Sequence, residues 1–498
     1  MKLGEIFAGV PSLAVEGTLD RDITGIVYDS RRVMPGNLFI AMRGEHTDGH
    51  RYVDMAIDRG AAAVVLEQDG GLNPRATRIK VHDARQTMAL AADRFYHHPS
   101  QRLKVVGVTG TNGKTTTAFM TKAILEAAGI KTGLLGTVQY EIGTRIIPAA
   151  RTTPESVEIQ DMFSQMLCSD CGGVAMEVSS HAADRHRVSG VDFDVAVFTN
   201  LSQDHLDYHQ TMEQYFAAKT RLFDMLGTIR KAGRAVVNAD NEYGRRLIAR
   251  LGGENAVVTY GVLSDATIRA LDVRVSPDGT YFVVRTPQGS RPIQLPLIGR
   301  YNVANALAAI AAGLALGIDL AVIEPALAQM PPVRGRLEAV PTVHGFHVFV
   351  DYAHTEDALR NVLATVNELT KGRLLVVFGC GGDRDQGKRA PMGRAACELA
   401  DLAILTSDNP RTEDPRAILR QVAAGFPADA AAKHLIIEDR REAIEHALDL
   451  AQPGDTVLIA GKGHETYQEF ADTVVPFNDR QAVEEYLNQW TVRWPRCA

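Results

Sequence analysis

The pattern of apolar and polar positions predicts strands that alternate with helices along the chain. Short apolar runs bounded by glycine or polar residues are typical of strands buried in parallel sheets. Such runs occur at residues 38–41, 63–66, 104–108, 173–178, 194–198, 348–350, 374–378, 403–405 and 456–459. Helical periodicity separates several of them, for example at residues 85–96. The alternation predicts an α/β protein whose sheets are mainly parallel.

Two short segments divide this pattern into three predicted domains. The 498 residues exceed what one hydrophobic core holds, since a domain usually has roughly 100–200 residues. We interpret His98-Pro99-Ser100 as the first linker and Pro331-Pro332 as the second boundary. The predicted domains are therefore residues 1–99, 100–334 and 335–498.

The two larger domains are predicted to be built around different sheets. In the central domain, residues 268–296 change to alternating strands around a Pro-Asp-Gly turn, which predicts a small antiparallel insertion in a parallel sheet. An alanine-rich helix is expected after Asn302. The strands and helices beyond residue 335 predict a Rossmann-like, doubly wound α/β domain.

Composition excludes several classes of protein. The chain is 45% hydrophobic and 23% charged, as in soluble globular proteins, and no apolar run approaches the roughly 20 residues that span a bilayer. An early acid, Glu5, and Pro11 interrupt the N-terminus before an apolar segment of signal-peptide length develops, so we expect a cytoplasmic protein without a membrane partner. Five scattered cysteines, an odd number, do not suggest a disulfide framework.

The charge balance indicates the kind of ligand. A formal net charge of -7 argues against a broad basic surface for nucleic acid, although local clusters can still bind small anions. The Cys168-Ser169-Asp170-Cys171 segment has the spacing of half a zinc site, but no second pair completes it, and incidental thiols are the favoured interpretation. We therefore expect a small anion as the partner.

A glycine-containing loop between the strand at 104–108 and a predicted helix is typical of phosphate binding. Backbone N–H groups and the helix N-terminus of such a loop face a phosphate chain, a lysine adds positive charge, and a threonine hydroxyl can ligate Mg²⁺. The loop departs from the general P-loop pattern, because Val108 stands where its first glycine would be. Its residues are Gly110, Thr111, Asn112, Gly113, Lys114, Thr115 and Thr116.

Two further polar segments follow predicted strands. Glu177 ends the strand at 173–178 and is followed by Ser179, and a carboxylate in this place is a candidate Mg²⁺ ligand. His205 follows the strand at 194–198 and could face the same metal, although an isolated histidine at a strand end is more often a structural hydrogen-bonding residue. The sequence thus predicts a nucleotide and magnesium site at one edge of the central sheet.

Taken together, these motifs resemble the Mur ligases, and the resemblance extends over essentially the whole chain. The joint order of the motifs is more specific than any one of them. They are the loop at 110–116, Glu177 with Ser179, Asp204-His205-Leu206-Asp207, Gly299-Arg300-Tyr301-Asn302, Gly335-Arg336-Leu337-Glu338, Asp351-Tyr352-Ala353-His354 and Asp408-Asn409-Pro410-Arg411.

The resemblance implies a reaction in peptidoglycan precursor biosynthesis, and with it a role in cell shape and division. It implies an ATP-dependent ligase that adds meso-2,6-diaminopimelate to UDP-N-acetylmuramoyl-L-alanyl-D-glutamate through an acyl phosphate, and that works as a monomer. By the same resemblance Lys219 is a catalytic residue that carbon dioxide converts to a carbamate. This carbamate binds Mg²⁺ together with Thr115, Glu177 and His205. Lys114 is a further catalytic residue, which orients the γ-phosphate of ATP.

The remaining roles also come from the resemblance. ATP is expected to contact, besides the loop, Asn302, Arg336, Asp351 and His354. The UDP substrate is expected to contact Ser30, Glu45, His46, Thr47, Thr152, Thr153, Ser179, Arg185 and Arg187. Some relatives carry Gln at the position of Arg185, and Glu356 stands where the family usually has Pro.

The amino-acid pocket is expected to distinguish diaminopimelate from lysine. A guanidinium pairs bidentately with a carboxylate, and diaminopimelate has one carboxylate more than lysine. Arg411 supplies this group, and the lysine-adding relatives lack it. The other residues that the resemblance assigns to the pocket are Arg384, Asp408, Asn409, Pro410, Gly461 and Glu465.

Three alternatives stay open at this point. A lysine-adding Mur ligase is the nearest, followed by a ligase like folylpolyglutamate synthase, which has a related loop and domain plan. The segment around Ser30 argues against the folate enzyme. A nucleotide-dependent switch is an alternative of another class, but it gives Lys219, Arg384 and Arg411 no role.

Overall fold

The computed structural model describes residues 1–44, 47–68, 75–253 and 257–493, with side chains as far as residue 490. The predicted substrate residues Glu45 and His46 lie outside the described residues. The chain forms two compact units, one made of Met1–Thr109, Ala128–Val197 and Ala217–Ala235, the other of Gly110–Ala127, Phe198–Phe216 and Val236–Ala498. Both units contain helices and strands, and the predicted α/β class is confirmed.

The N-terminal part of the first unit is a small sheet with helices. Its strands lie in the order β1-β5-β4-β3-β2, and all neighbours are parallel except β1 and β5. The strands predicted at 38–41 and 63–66 and the helix predicted at 85–96 are confirmed. The elements are α1 (Leu3–Phe7), β1 (Ala14–Glu16), β2 (Gly25–Val27), β3 (Asn37–Ile40), α2 (Val53–Asp58), β4 (Ala63–Leu66), β5 (Thr77–Lys80) and α3 (Ala84–Phe95).

The segment interpreted as the first linker is a packed turn. Residues Pro99–Gln101 form one turn of 3-10 helix, in which Pro99 and Ser100 are buried. The Ser100 hydroxyl accepts a hydrogen bond of 3.1 Å from the backbone N–H of Asp192 in the same unit. A proline-containing junction therefore does not by itself indicate a loose connection.

The middle of the chain contains the strand that ends at the predicted phosphate loop and the helices and strands that follow it. The predicted helix after this loop ends at Ala127, and Gly129 takes the left-handed conformation expected of a helix terminator, with φ +77°. The elements are β6 (Lys104–Thr109), α4 (Lys114–Ala127), β7 (Thr132–Leu135), β8 (Gln139–Ile142), β9 (Arg145–Pro148), α5 (Ser156–Cys168), β10 (Gly173–Glu177), α6 (Ser180–Asp184), β11 (Val195–Phe198), α7 (Leu206–His209), α8 (Met212–Asp224), β12 (Arg234–Asn238), α9 (Glu242–Arg250), β13 (Val258–Gly261), β14 (Ile268–Ser276), β15 (Gly279–Thr286), β16 (Gly289–Leu295), α10 (Arg300–Ala315) and α11 (Leu320–Ala328).

These strands pair differently in the two units. In the first unit β10 lies between β6 and β7 and is parallel to both, and β8 and β9 extend the sheet in antiparallel fashion. The register of β10 with β6 places Glu177 beside Val108. In the second unit β12, β13 and β14 are parallel, whereas β14, β15 and β16 form an antiparallel meander. This meander confirms the antiparallel insertion predicted at 268–296.

The C-terminal part of the second unit is a doubly wound sheet, as predicted. Its strands lie in the order β17-β18-β22-β19-β20-β21, and only β17 is antiparallel to its neighbour. The elements are β17 (Glu338–Val340), β18 (His347–Asp351), α12 (Glu356–Leu369), β19 (Leu374–Phe378), α13 (Arg389–Leu399), β20 (Leu402–Leu405), α14 (Pro415–Ala423), β21 (His434–Ile436), α15 (Arg440–Leu450), β22 (Thr456–Ala460), β23 (Tyr467–Phe470), β24 (Thr473–Pro476) and α16 (Asp479–Arg493).

Helices cover both faces of this sheet, which explains why the central strand β19 is apolar at every position. Leu374, Val376 and Phe378 of β19 pack into one core, while Leu375 and Val377 pack into the other. Successive side chains of a strand point to opposite faces, so a strand buried on both sides has no polar alternation. None of the helices in the described ranges combines the length and apolarity required to cross a bilayer.

The parallel strands of this sheet bring several loops to one edge. Asp351 pairs with Ala460, and Phe378 pairs with Leu405, so β18, β22, β19 and β20 end at similar levels. Ligands of open α/β sheets bind outside the carboxyl ends of the strands. The segments that follow these strands are residues 352–354, 379–384, 406–411 and 461–465, and the last three contain all the residues predicted to bind the amino acid.

A buried ion pair fixes two of these loops. Arg440 donates from Nε and Nη2 to the two carboxylate oxygens of Asp479, both at 2.7 Å, and both side chains are fully buried. Nη2 of Arg440 also donates to the carbonyl oxygen of Ala460, at 3.0 Å. Loss of one partner from a buried pair typically costs about 3–5 kcal/mol, because the other charge is left without a partner. Arg440 thereby anchors the strand end that precedes Gly461.

Candidate active site

The loop at 110–116 has the backbone that phosphate binding requires. Gly110 and Gly113 have φ values of +149° and +88°, which favour glycine. Nζ of Lys114 donates to the carbonyl oxygens of Gly110 and Thr111, both at 2.9 Å, so the ammonium lies against the loop. Thr115 and Thr116 are buried in the first turn of α4. A helix N-terminus and a cation beside it suit a nucleotide phosphate.

Gly113 also has a steric reason to be glycine. A Cβ atom on Gly113 would overlap Oδ1 of Asn305, a buried residue of α10 that the sequence analysis missed. Nδ2 of Asn305 donates to Oδ1 of Asn302 at 3.0 Å, and Nδ2 of Asn302 donates to the carbonyl oxygen of Ile298 at 2.9 Å. The predicted ATP residue Asn302 is therefore linked to the loop through Asn305.

We expect Gly113→Ala to lower kcat/KM for ATP by about 100-fold or more, because the added methyl group displaces the loop from its phosphate-binding geometry. Gly129→Ala is the matched control. Gly129 has a similar φ of +77°, but apart from its chain neighbours no atom of the described residues lies within 4 Å of its added Cβ. The control should lose about 1 kcal/mol of stability and keep its ATP kinetics. Initial rates at varied ATP, together with thermal unfolding, test this, and equal kinetics for the two variants would contradict it.

Arg336 lies at the phosphate loop, as the resemblance implies. Its Nη2 donates to Oγ1 of Thr115 at 2.8 Å, and its guanidinium lies 4.8 Å from the centre of the Tyr352 ring. Thr115 thus has its hydroxyl beside a fixed positive charge. This arrangement brings together two of the predicted ATP residues, which are 221 positions apart in sequence.

Asp351 is held by the backbone. Its carboxylate accepts from the N–H groups of Leu337 at 2.6 Å and of Ala353 at 2.7 Å. Burial raises the pKa of Asp351, while the charge of Arg336 and these two hydrogen bonds oppose the increase. Each carboxylate oxygen already has one donor, so a contact with the nucleotide would use the remaining lone pairs.

His205 and His354 both face Asp204, which the sequence analysis quoted only as part of a motif. Oδ2 of Asp204 lies 3.4 Å from Nε2 of His205 and 4.0 Å from Nε2 of His354, and Oδ1 lies 3.8 Å from Nζ of Lys388. Burial by itself raises the pKa of Asp204, but the charges of His205 and Lys388 outweigh it and hold this pKa well below its usual range. Lys388 is a second site residue that the analysis missed.

The neighbouring His354 is neutral at physiological pH. Burial, followed by the charge of Lys388, lowers the pKa of His354 to about 4. Its Nδ1 lies 2.8 Å from the carbonyl oxygen of Tyr352, which fixes the ring. A neutral, oriented imidazole can bind a nucleotide without adding charge.

In the first unit, Glu177 has the surroundings expected of a metal ligand. The residue is 1% exposed, and its carboxylate accepts from the N–H and the hydroxyl of Thr137, at 2.8 and 2.9 Å. Lys219, in α8, is also 1% exposed, which is unusual for a lysine on a helix. Carboxylate and hydroxyl oxygens are the donors that Mg²⁺ prefers, so Glu177 fits this ion. No cluster of three or more His, Cys, Asp or Glu side chains that could hold a metal occurs among the residues described.

The predicted contacts of the UDP substrate converge near Glu177. Oγ1 of Thr153 donates to the Glu177 carbonyl oxygen at 2.8 Å and accepts from the Ser179 N–H at 3.1 Å. Oγ1 of Thr137 lies 3.2 Å from Oγ1 of Thr152 and accepts a hydrogen bond from it, since the Thr137 hydroxyl donates to Glu177. The structure thus brings Thr152, Thr153 and Ser179 together. Thr137 is a missed residue of this group, and no motif indicated it.

Arg187 approaches the same group, whereas other predicted residues lie apart. Nη1 of Arg187 donates to the Thr153 carbonyl oxygen at 3.1 Å, and Nε lies 2.9 Å from Oε1 of Glu155, a buried acid that the analysis missed. Arg185 follows the end of α6. Ser30 and Thr47 belong to the N-terminal sheet region, where Ser30 is buried and Oγ1 of Thr47 lies 3.3 Å from the Tyr52 hydroxyl.

The predicted amino-acid residues form a polar pocket at the edge of the C-terminal sheet. Nδ2 of Asn409 donates to Oε2 of Glu465 at 3.0 Å. A Cβ on Gly461 would lie 3.0 Å from Oδ2 of Asp408, so these residues adjoin. Burial raises the pKa of Glu465, and the ammonium of Lys462, another missed residue, opposes this increase.

Arg411 is fixed but keeps free donors. It has a left-handed backbone, with φ +51°, and its Nε donates to Oε2 of Glu469 at 2.9 Å. Its Nη1 donates to the Gly382 carbonyl oxygen at 2.8 Å. Two of five guanidinium N–H groups are thereby used, and the rest can bind a carboxylate. Pro410 adjoins Gly382, whose added Cβ would overlap the Pro410 carbonyl oxygen, and the exposed Arg384 donates to the carbonyl oxygen of Asp383 at 2.9 Å.

Comparison with known proteins agrees with this geometry. Family profiles match residues 22–96 (Mur ligase family, catalytic domain), 108–313 (Mur ligase middle domain) and 335–463 (Mur ligase, glutamate ligase domain). The chain is 46% identical to the UDP-N-acetylmuramoyl-L-alanyl-D-glutamate--2,6-diaminopimelate ligase of Caldanaerobacter subterraneus, over 98% of this chain and 99% of that protein. It is 48% identical to the protein of the same name from Geobacillus kaustophilus, over 96% and 98%.

A solved structure of a UDP-N-acetylmuramoyl-L-alanyl-D-glutamate--2,6-diaminopimelate ligase superposes with a TM-score of 0.69 at 32% sequence identity, covering 98% of this chain and 99% of that one. The similarity therefore extends over the whole length of sequence and structure rather than over the nucleotide loop alone. Together with the phosphate loop and the polar pocket, it shows that this chain belongs to the Mur ligase family of ATP-dependent ligases.

Proposed function

We propose that this enzyme joins meso-2,6-diaminopimelate to UDP-N-acetylmuramoyl-L-alanyl-D-glutamate at the expense of ATP, and that it does so in the cytoplasm as a monomer. The observation that supports the acceptor is Arg411, which keeps free N–H groups beside a pocket that contains the buried carboxylates of Asp408 and Glu465. Cationic and anionic groups in one pocket suit a substrate that is both an amine and a diacid.

The first chemical step activates a carboxylate. The side-chain carboxylate of the D-glutamate residue attacks the γ-phosphorus of ATP, and the bond from this phosphorus to the β–γ bridging oxygen breaks. ADP departs, and the substrate carboxylate has become an acyl phosphate. Lys114 and the N–H groups of residues 110–116 orient the phosphates, and Arg336 adds positive charge near Thr115. Phosphoryl transfer depends mainly on positioning and on neutralising charge, and these groups supply both.

The second step forms the amide. A neutral amino group of diaminopimelate attacks the acyl carbonyl to give a tetrahedral intermediate, which expels inorganic phosphate. The nitrogen loses a proton to a base in the process. Glu465 and Asn409 would hold the amino-acid end of the substrate, and Arg411 would hold the distal carboxylate, so that the reacting amine is oriented.

Magnesium ions supply charge neutralisation at the transferred phosphoryl group when they are bound. Glu177 and Thr115 would hold them with oxygen atoms and His205 with a ring nitrogen. We propose that Lys219 contributes as a carbamate. The ammonium first loses one proton, carbon dioxide then adds to the neutral amine, and a second proton is released, so a buried cation becomes an anion able to bind the metal.

The UDP substrate is proposed to contact the group around Thr137. Thr152, Thr153 and Ser179 present hydroxyls, and Arg187, held by Glu155, supplies a charge for an anionic group. Ser30, Glu45, His46, Thr47 and Arg185 are proposed to complete the contacts.

Two other ligase functions remain as alternatives. A lysine-adding ligase would not need Arg411, whose remaining donors favour a diacid. A ligase like folylpolyglutamate synthase is disfavoured by the family match at residues 22–96, where the UDP substrate is proposed to bind. A nucleotide switch without ligation would leave the polar pocket without a substrate.

A phosphate-release assay with purified protein tests the proposal. Phosphate should appear only when ATP, Mg²⁺, the UDP-dipeptide and diaminopimelate are all present, and product should accumulate in equal amount. Lysine in place of diaminopimelate should react at least about 100-fold more slowly, because it leaves Arg411 without a partner. Equal rates with lysine would reverse the choice of acceptor, and ATP hydrolysis without the dipeptide would favour a switch.

A further inference from the structure

Lys462 is a lysine without solvent exposure in the middle of the amino-acid pocket. It lies in the turn after β22, between Gly461 and Gly463, and its side chain is 0% exposed. Lysine is almost never fully buried unless it is paired, because its desolvation costs several kcal/mol. A buried ammonium in this place therefore needs partners that stabilise it.

The partners of Lys462 are the residues proposed to bind the amino acid. Its Nζ donates to Oδ1 of Asn409 at 3.0 Å and to Oε2 of Glu465 at 2.8 Å, and lies 3.7 Å from Oδ1 of Asp408. The ring centre of Tyr467 lies 5.6 Å away. The ammonium thus contacts three side chains from two different loops.

The hydrogen bonds determine how Asn409 is oriented. Oδ1 of Asn409 accepts from Lys462 and from the N–H of Glu469, at 3.0 Å each, so the amide nitrogen must face Oε2 of Glu465. The reversed amide would place an NH₂ group against the ammonium and lose both bonds. Oε2 of Glu465 then receives two donors, while Oε1 accepts none from the described residues, which leaves it available to a substrate ammonium.

We propose that Lys462 is a positioning residue for the incoming amino acid: it fixes the amide of Asn409 and holds its positive charge against Oε2 of Glu465, so that Oε1 of Glu465 can bind the amino group of the substrate. Lys462 itself does not touch the substrate. This inference rests on the proposed amino-acid specificity of the pocket.

Charge explains why the ammonium matters to Glu465. Burial raises the pKa of this carboxyl group and Lys462 opposes the increase, so loss of the ammonium raises that pKa further. Glu465 binds an ammonium only above its pKa, and therefore a variant without the Lys462 charge should lose substrate affinity at a higher pH than the wild type. The other charged or titratable groups that face Glu465 are Asp408, Tyr352, Tyr467 and Arg440.

The test is steady-state kinetics of Lys462→Gln at several pH values. The variant should raise KM for diaminopimelate about tenfold or more, as expected for loss of a hydrogen bond to a charged group, and KM for ATP and for the UDP-dipeptide should change less than about twofold. As pH falls, its KM for diaminopimelate should begin to rise at a higher pH than in the wild type. If Lys462 contributed only to folding, its substitution would change neither the KM for diaminopimelate relative to the other two KM values nor the pH dependence of that KM.

Lys433→Gln is the matched control. Lys433 lies on the surface of the same sheet domain, and its Nζ donates to the carbonyl oxygen of Cys397 at 3.1 Å. The control should leave all three KM values unchanged. If Lys462→Gln does not fold, the double variant Lys462→Gln/Glu465→Gln removes the charges of Lys462 and of its hydrogen-bonded partner Glu465 together. That variant should fold and still show the raised KM for diaminopimelate.

The possible failures can be told apart. A wild-type enzyme that does not use diaminopimelate would overturn the proposed function. A wild-type enzyme that uses it, with Lys462→Gln unchanged in KM and in pH profile, would overturn the role of Lys462. An equal rise in all three KM values, or a double variant with the wild-type KM for diaminopimelate, would also overturn it.

Discussion

Lys219→Ala is expected to lower kcat about a thousandfold or more, while the protein stays folded and still binds the UDP substrate. Lys219 is 1% exposed, and the proposed carbamate would place a negative charge in a site where Glu177 supplies the other carboxylate. Removal of one preorganised electrostatic group from such a site typically costs 10²–10³ in rate, and loss of a metal position adds to this. Single-turnover phosphate release measures the effect.

Rescue by small carboxylates separates the carbamate from an ordinary lysine. Formate or acetate can occupy the space left by the side chain and restore part of the negative charge, so activity of Lys219→Ala should rise with their concentration. Lys131→Ala is the control, since Lys131 is exposed and its Nζ donates to the Ser169 carbonyl oxygen. A fully active Lys219→Ala variant would refute the proposed carbamate. Rescue of the variant by ammonium salts but not by carboxylates would also refute it.

Arg411→Gln is expected to lower kcat/KM for diaminopimelate about a thousandfold and to leave the slow reaction with lysine nearly unchanged. The guanidinium is held by Glu469 and by the Gly382 carbonyl oxygen, so its remaining N–H groups are oriented in advance. A site built for a polar group discriminates strongly against a partner that lacks it, because the polar groups are then left unpaired. Competition between the two amino acids measures the ratio directly.

The control for this variant is Arg416→Gln. Arg416 begins α14 in the same region, and its Nε donates to Oε2 of Glu438 at 2.7 Å, with the guanidinium largely exposed. Exposed pairs contribute about 0–1 kcal/mol, so neither stability nor selectivity should change. If Arg411→Gln reduced the rates with lysine and with diaminopimelate by the same factor, Arg411 would orient the loop without binding the second carboxylate of diaminopimelate.

Local pattern was sufficient for much of the fold. The apolar run at 374–378 predicted β19 because a strand buried on both faces has no polar position, and this environment follows from the sequence directly. The meander at 268–296 was visible because alternation and a glycine turn are local signals. By contrast, β13, β21 and the ribbon of β23 and β24 were not predicted, because these strands are short and partly polar; β13 and β21 pair with strands that do not adjoin them in the sequence, and β23 and β24 pair with each other.

The candidate site was predictable where a motif is continuous. The loop at 110–116 and the segment at 408–411 each contain several chemically informative residues in a row. Asn305 and Lys462 were missed because an isolated asparagine on an alanine-rich helix, or a lysine between glycines, is indistinguishable in sequence from an exposed one. Their importance comes from the residues they contact: Asn305 lies against Gly113, and Lys462 donates to Glu465.

The sequence by itself determined the α/β class, and it predicted the nucleotide loop and the arginine proposed to bind the acceptor, since strand burial, loop chemistry and side-chain charge are properties of neighbouring residues. Only the tertiary structure decided which groups work together. Nδ2 of Asn112 donates to Oδ2 of Asp357 at 2.8 Å across 245 positions, and Lys462 meets Asn409 across 53. Such pairs depend on how strands and helices pack, and no local pattern records the distance between residues that are far apart in the chain.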